Sequence, residues 1–190
     1  MLLCLVCAAC RPESGPAGQS PHDISQLQSG DLIYRLGNGL YSVGFQEFSQ
    51  TEKRFSHVGI VEKSATGDSL WVIHAEADDY TGQGGVRRET VAGFLKQSGD
   101  CAAYRLPADV AVRDRITALA REFWHRKTPF DISFDADDPT AVYCTELVQY
   151  CVNGAVGYPL ISAGTEMNGR RYIAVDDTYI PCGMVPVAIK

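Results

Sequence analysis

One cysteine in this sequence stands where a thiol can act as a nucleophile. Cys144 begins the segment Cys144–Cys151, which has a helical pattern and directly follows an irregular loop. Free backbone N–H groups and the dipole at a helix N-terminus favour a thiolate, which would lower the thiol pKa. The same groups can stabilise an oxyanion. The alternative is a core residue, because Cys144, Leu147, Val148 and Cys151 share one apolar helix face.

A thiol nucleophile needs a base, and His57 is the candidate. It follows Phe55-Ser56 and opens the apolar run Val58–Val61, which is typical of a strand. A histidine on a strand can accept the thiol proton and later protonate the leaving group. The alternative is an ordinary histidine at a strand edge.

A third polar residue is expected beside His57. The turn-rich segment 64–69 separates the two apolar runs, which predicts a hairpin. Antiparallel pairing brings the start of one strand near the end of the other, so His57 is expected near His74 and Glu76. Either side chain can hydrogen-bond the second imidazole nitrogen and so select the tautomer. The alternative for His74 is a buried histidine of the core.

Apolar periodicity predicts the elements that position these residues. Strands and helices are segregated along the chain rather than alternating, which indicates an α+β fold. The predicted strands are Asp31–Arg35, His57–Glu62, Leu70–Glu76, Gly85–Glu89, Cys101–Leu106, Tyr172–Val175 and Val185–Ile189. The predicted helices are a short one within 36–55, then Thr90–Lys96, Pro107–Arg126 and Tyr143–Asn153, the last with Gly154 as its C-terminal stop.

Composition excludes several classes of function. The 190 residues carry a net charge of −6 and no cluster of Lys and Arg, so a nucleic-acid partner is not expected. Four of the seven cysteines lie beyond the first ten residues. They show no spacing typical of zinc sites, and neither a metal nor another cofactor is expected. Pairing of Cys101 with Cys182 stays open, since spacing does not decide connectivity. We expect a monomer.

The N-terminus predicts export. Residues 1–10 are uninterruptedly apolar and end in Ala8, Ala9 and Cys10, an order similar to a bacterial lipoprotein signal. We predict a signal segment at 1–10, a flexible tether at 11–25 and one hydrolase domain at 26–190. The expected location is the periplasm or the membrane surface, with attachment through a lipid on Cys10. The alternatives are a signal without lipid and a poorly ordered apolar tail.

Five segments in one order resemble a known family. They are Ser29-Gly-Asp-Leu-Ile33, Ser56-His-Val-Gly-Ile-Val61, Val72-Ile-His-Ala75, Pro129-Phe-Asp131 and Tyr143-Cys-Thr-Glu-Leu-Val148. This set resembles the permuted papain-fold amidases of the YaeF/YiiX group, within the NlpC superfamily of cell-wall hydrolases. The lecithin:retinol acyltransferase-like enzymes are more distant relatives. The resemblance implies a circularly permuted papain-like fold, in which a small antiparallel sheet or half-barrel packs against helices.

The resemblance also implies residue roles. Cys144 matches the family nucleophile, with Thr145 in place of the usual Ser, and His57 matches the family base. The orienting residue is often Glu in the YaeF/YiiX group and His in the acyltransferase-like group, so His74 is the third catalytic member and Glu76 the reserve. Weaker candidates for substrate binding come from the residues alone. They are Asp31, Tyr143 and Asp131, although turn, capping and packing duties explain them equally well.

The expected function is hydrolysis of amide bonds through a thioester, with peptide amides of the cell envelope as substrate. Two alternatives stay open. One is acyl transfer or thioester hydrolysis on lipids, which the histidine at position 74 favours. The other is a binding module without catalysis, in which the thiol of Cys144 belongs to the core.

Overall fold

A computed structural model describes residues 22–37, 39–96, 98–134, 140–167 and 169–189 of the chain. The predicted signal segment 1–10, including Cys10, and residues 11–21 of the predicted tether lie outside the described residues. Among the described residues, no helix combines the length and the apolar character that crossing a bilayer requires.

The centre of the fold is a six-stranded antiparallel sheet. Its strand order is β4-β3-β2-β1-β5-β8, so the hairpins β2–β3 and β3–β4 lie side by side at one end. Strands β6 and β7 form a separate two-stranded sheet. The strands are β1 (Leu32–Arg35), β2 (His57–Lys63), β3 (Leu70–Ala77), β4 (Gly84–Thr90), β5 (Cys101–Arg105), β6 (Thr165–Met167), β7 (Arg170–Tyr172) and β8 (Val185–Val187).

Helices cover both faces of the sheet. Alternate residues of each strand point to opposite faces, so the sheet has two cores. Phe94 and Leu95 of the short helix α2 pack with Val61 and Val72 on one face. The larger core on the other face lies beneath α3 and α4. The helices are α1 (Leu40–Phe48), α2 (Val91–Leu95), α3 (Val110–His125) and α4 (Cys144–Val156).

Helix α4 carries the predicted nucleophile and is held in the larger core. Its residues Leu147, Val148, Cys151 and Val152 are all buried, as the apolar stripe predicts. The neighbouring helix α3 contributes Ile116 and other apolar side chains to the same core. This packing sets the position of the helix N-terminus relative to the sheet.

Most predicted elements are confirmed, and the corrections fall near the C-terminus. Helix α4 runs through Gly154 and ends at Gly157, whose φ of 83° is the left-handed conformation that favours glycine at a helix end. The strand predicted at Tyr172–Val175 is instead β7, which ends at Tyr172. Residues 173–175 are not a strand. The backbone of Ile173 bonds to the side chains of Tyr143 and Thr145, and Ala174 and Val175 bond to Asp177 and Thr178. Strand β6 and a 3-10 turn at Asp176–Thr178 were not predicted.

The cysteines in the described part of the chain are free thiols. Cys101, Cys144, Cys151 and Cys182 form no disulfide, so Cys101 and Cys182 do not pair. The sulfur of Cys182 instead lies 3.5 Å from the carbonyl oxygen of Asp177.

Candidate active site

The N-terminal end of α4 is fixed by hydrogen bonds. The carboxylate of Glu146 accepts from the backbone N–H of Tyr143 at 3.0 Å, which caps the helix. The Thr145 hydroxyl donates to the carbonyl of Ile173 at 2.7 Å. The N–H of Ile173 donates in turn to the Tyr143 hydroxyl at 3.0 Å. Cys144 therefore stands on a rigid support, and the hydroxyl of Thr145 is the group that this support uses.

The thiol of Cys144 is enclosed but reaches the cavity. The residue is 1% exposed and lines a cavity of about 630 Å³. Its sulfur accepts hydrogen bonds from the backbone N–H groups of Val58 and Thr145, and Val58 directly follows His57. Burial nevertheless raises the thiol pKa to about 12. The expected lowering of this pKa is thus wrong, because the loss of hydration outweighs the stabilisation by the helix end.

The sheet side of the cavity presents a pair of histidines. His57 at the start of β2 and His74 on β3 are joined by a hydrogen bond of 2.8 Å between Nε2 and Nδ1, respectively. The two residues meet across Gly59, which lies two residues after His57. A Cβ atom at Gly59 would lie 2.3 Å from Cγ1 of Val72 and 3.1 Å from Cβ of His74. The predicted hairpin and the predicted proximity of the two histidines are confirmed.

The histidine pair extends to a carboxylate on a third strand. Nε2 of His74 lies 2.9 Å from Oε1 of Glu89 on β4. The hydrogen bond to His74 is the largest influence on Glu89 and lowers the pKa of its carboxyl to about 2. Glu89 was not predicted as a site residue. The sequence does indicate that Arg87 and Glu89 lie on one face of a predicted strand, because they are two residues apart. Only the register against β3 shows which of them reaches His74.

Burial favours the neutral form of both imidazoles in the folded protein. Burial lowers the pKa of His57 well below its ordinary value, and the neighbouring Arg35 lowers it further. Burial also lowers the pKa of His74, although the hydrogen bond to Glu89 opposes that shift. The ring of Phe94 packs against both, with centroid distances of 5.6 Å to His57 and 5.1 Å to His74. A neutral His57 is a base with a free lone pair, as nucleophile activation requires.

Glu76, the reserve candidate, has other partners. Its carboxylate pairs with the guanidinium groups of Arg35 and, at 2.6 Å, of Arg87. The third polar residue that hydrogen-bonds His57 is therefore His74. Glu76 still lines the cavity, so its charge bears on whatever enters.

A group of three possible metal ligands lies among the described residues. Donor atoms of His57, His74 and Glu76 are all within 4.8 Å of one another. The two imidazoles, however, already share a hydrogen bond, and Glu76 is neutralised by Arg35 and Arg87. A dication would have to displace these contacts next to two guanidinium cations. As arranged, the three residues do not fit a metal ion.

The cavity joins the two sides of the site. Cys144 and His57 both line it, and Phe45 of α1 lies on its wall. The turn between β3 and β4, residues 78–83, forms much of the rim. The cavity is lined by charged residues of both signs: Arg35, Glu76, Asp78, Asp79, Arg87 and Lys127.

The three weaker substrate-binding candidates do not line this cavity. Asp31 is fully buried and forms an ion pair with Arg105 at 2.7 Å. Tyr143 is buried and uses its hydroxyl on Ile173. Asp131 accepts hydrogen bonds from the backbone and hydroxyl of Ser133, both at 2.7 Å. Each therefore has a structural contact, and substrate binding by these three residues stays a prediction.

Comparisons with known proteins find a matching family and a similar fold. Residues 26–167 match the model of a family described as permuted papain-like amidase enzymes, YaeF/YiiX, C92 family. A crystal structure described as that of the metalloprotein yiiX from Escherichia coli O157:H7 superposes with a TM-score of 0.69. It is 15% identical in sequence, and the alignment covers 87% of this chain and 98% of that one. Among curated proteins no sequence matches this chain significantly. The chain belongs to the C92 family of permuted papain-like amidases and is, at the level of that family, a cysteine hydrolase.

Proposed function

We propose that this chain cleaves amide bonds through a thioester on Cys144, with His57 as base and His74 as the residue that orients it. The observation that carries the proposal is the 2.8 Å hydrogen bond between the two histidines, beside a cavity that His57 shares with the thiol. A base held by a second group next to a nucleophile is the arrangement common to triad hydrolases.

The neutral state of both partners determines the order of events. A thiol with a pKa near 12 and an imidazole with a lowered pKa do not form an ion pair at rest. The proton therefore moves from Sγ to His57 as the sulfur attacks the carbonyl carbon. The negative charge on the carbonyl oxygen is stabilised by the N-terminal amides of α4.

The second half of the cycle returns the enzyme to its starting state. The imidazolium of His57 gives its proton to the amide nitrogen, the C–N bond breaks, and an amine leaves the thioester behind. Water then attacks the thioester while His57 accepts a proton from it. Collapse of this intermediate releases the carboxylic acid, and the proton returns to the sulfur of Cys144.

Peptide amides of the cell envelope are the proposed substrate. Six charged side chains around the cavity suit a polar peptide better than a hydrocarbon chain. The apolar segment 1–10 supports export, and we propose that the protein acts as a monomer at the envelope, attached through a lipid on Cys10.

Acyl transfer or thioester hydrolysis is the second candidate. One observation favours it, since the group that orients His57 is an imidazole, as in the acyltransferase-like relatives, rather than a glutamate. A substrate of this class would carry its acyl group on an ester or a thioester instead of an amide.

No step of the proposed mechanism passes through a metal. The Escherichia coli structure is described as that of a metalloprotein. In the described part of this chain, the group of possible metal ligands is His57, His74 and Glu76, whose donor atoms are engaged with one another or with arginines.

Product analysis decides between the candidates. The purified protein is incubated with peptidoglycan stem peptides and, separately, with phospholipid and acyl-thioester substrates, each beside Cys144→Ala. Release of new amines from the peptides, lost in Cys144→Ala, supports the amidase. Acyl release without peptide cleavage supports the second candidate, and turnover that survives in Cys144→Ala contradicts both.

Alkylation tests the nucleophile without a substrate. Iodoacetamide is expected to modify Cys144 before Cys151, because only the former lines the cavity although both thiols are buried. The rate should rise with pH without a plateau near neutrality, since the thiol pKa is high. Equal labelling of the two cysteines would leave the binding module as the better explanation.

A further inference from the structure

We propose that Glu89 is a positioning residue that sets the proton positions on both histidines and thereby aims the lone pair of His57 into the cavity. This inference rests on the proposed function, in which His57 is the base. It adds a member to the site, on a strand that carries none of the predicted catalytic residues.

The register of the sheet allows a hydrogen-bonded relay from Glu89 through His74 to His57. Strand β4 pairs with β3 so that Glu89 lies opposite Val72 and Arg87 opposite His74. Residues two apart on a strand share a face, so Glu89 and His74 project to the same side. His57 reaches His74 on that side across Gly59. The three side chains thus form a diagonal line across three adjacent strands.

The Glu89 carboxylate at the end of this relay determines which ring nitrogen of His74 and of His57 carries the hydrogen. An ionised carboxylate accepts hydrogen bonds and cannot donate one, so Nε2 of His74 must carry the hydrogen in its 2.9 Å contact with Glu89. In a neutral imidazole Nδ1 is then an acceptor. Nε2 of His57 must donate to it across 2.8 Å, which leaves Nδ1 of His57 as the basic nitrogen.

One contact competes with this assignment. Nε of Arg87 lies 3.3 Å from Nε2 of His74. A hydrogen bond donated by Arg87 would require Nε2 of His74 to be unprotonated. The carboxylate contact is shorter and cannot be made without the proton. The guanidinium of Arg87 is held independently of this contact, since its Nη2 donates to Glu76 at 2.6 Å and to Glu89 at 3.2 Å. The tautomer with hydrogen on Nε2 of His74 therefore prevails.

The relay has a consequence for the reaction. When His57 takes the thiol proton, it becomes a cation in a buried site beside Arg35 and near Arg87. The nearest compensation on its own hydrogen-bonded line is Glu89, reached through His74. Removing that carboxylate should lower kcat more than it raises KM, because its influence grows as the cation forms.

Nitrogen-15 NMR of the histidine rings tests the proposal directly. In the wild-type protein near neutral pH we expect the hydrogen on Nε2 in both His57 and His74. A spectrum with the hydrogen on Nδ1 of His57 would overturn the proposal without any variant.

Variants separate orientation from charge. Glu89→Ala removes the acceptor, so we expect His74 to lose its single tautomer and kcat to fall about 10- to 100-fold with little change in KM. Glu89→Gln keeps a carbonyl acceptor and should preserve the tautomers with a smaller fall in kcat. A Glu89→Ala protein with wild-type tautomers and kcat would refute the role.

Glu62→Gln is the matched control. Glu62 is a buried carboxylate of the same sheet, bound by Arg88 and Arg121 and not by a histidine. It should lose stability and leave the ring spectra unchanged; altered tautomers in this variant would count against a specific role for Glu89. If the spectra are as expected but no substrate is cleaved, the relay stands and the proposed function falls. If Cys144 and His57 prove essential while Glu89→Ala changes nothing, the reverse holds.

Discussion

The helix side and the sheet side of the cavity hold their reactive groups with different chemical groups. On the helix side, Cys144 is surrounded by backbone amides. Thr145 donates a hydrogen bond to Ile173, Ile173 donates one to the Tyr143 hydroxyl, and Glu146 caps the helix end. On the sheet side, His57 is held by a line of side chains that ends in the carboxylate of Glu89. Burial raises the pKa of the thiol and lowers that of the imidazole, so both groups are uncharged at rest.

This contrast shows where the site keeps its charge. The nucleophile lies where an anion is costly until substrate arrives, whereas a permanent negative charge is kept two hydrogen bonds behind the base. Charge separation between sulfur and imidazole is therefore tied to bond formation with the substrate. Substitutions on the two sides should fail in different ways, in the order below.

The largest effect is expected at the helix side. Cys144→Ala should reduce turnover at least about 10³-fold, because no other group supplies the thioester. The melting temperature should change little. Cys151→Ala, two turns along the same helix, should cost on the order of 1 kcal/mol in unfolding free energy and keep its turnover. Equal activities in the two variants would remove the functional difference between the two thiols.

Loss of the base should come next. His57→Ala is expected to lower kcat about 10²- to 10⁴-fold, the range for a general base. The same variant should slow alkylation of Cys144, because the thiol then has no neighbour to take its proton. Unchanged alkylation would show that the thiol does not depend on the sheet side at all.

A smaller effect is expected from the orienting residue. His74→Ala should lower kcat about 10- to 100-fold, since it positions the base and does not itself transfer the proton to substrate. Glu76→Ala should lower it less and act mainly on KM, because Glu76 contacts Arg35 and Arg87 rather than His57. The reverse ranking would transfer the third catalytic role to Glu76.

The pH profile reports the same asymmetry. Both histidine pKa values lie below their ordinary value of 6.5 in the folded protein. The acid limb of kcat/KM is therefore expected well below that pH, because His57 loses its basic form only when it is protonated there. The unfolded chain binds these protons first, so unfolding free energy should fall as the pH drops below the ordinary value. An acid limb at or above that value would contradict a buried neutral base.

The smallest expected effect concerns the support of the nucleophile. Thr145→Val keeps the shape but removes the hydroxyl that bonds to Ile173, at a cost of about 1 to 2 kcal/mol in unfolding free energy. Turnover should fall only slightly, to the extent that the N-terminus of α4 becomes more mobile. Thr145→Ser keeps the hydroxyl and should behave as wild type in chemical denaturation; equal stability of the valine variant would show that the bond contributes nothing.

Local patterns were sufficient to predict most of the fold. The turn at 64–69 between two apolar runs correctly predicts the β2–β3 hairpin, and with it the meeting of His57 and His74. Both depend on neighbours in sequence. The stop of α4 was misjudged because Gly154 is tolerated inside the helix, and Gly157 is the residue that adopts positive φ.

Features that depend on tertiary packing were not predicted. The pKa of Cys144 follows from how completely the sheet and helices enclose it, which no spacing reveals. The role of Glu89 follows from the register between β3 and β4, which the glycine-rich turn before Gly84 leaves undetermined. The structural contacts of Asp31 and Tyr143 were not predicted because their partners, Arg105 and Ile173, are far away in sequence.

The contacts at Ile173 bear on where this domain ends as a working unit. The family match stops at residue 167. Ile173 nonetheless hydrogen-bonds both neighbours of the nucleophile, Tyr143 and Thr145. Asp176 accepts hydrogen bonds from the backbone N–H groups of Gln50 and Thr51, just after α1. A chain shortened to the matched region would retain every motif by which the family is recognised. It would nonetheless lose the contacts of Ile173 that hold the N-terminus of α4 and the Cys144 sulfur in place. The working active site therefore includes residues beyond the region matched by sequence similarity.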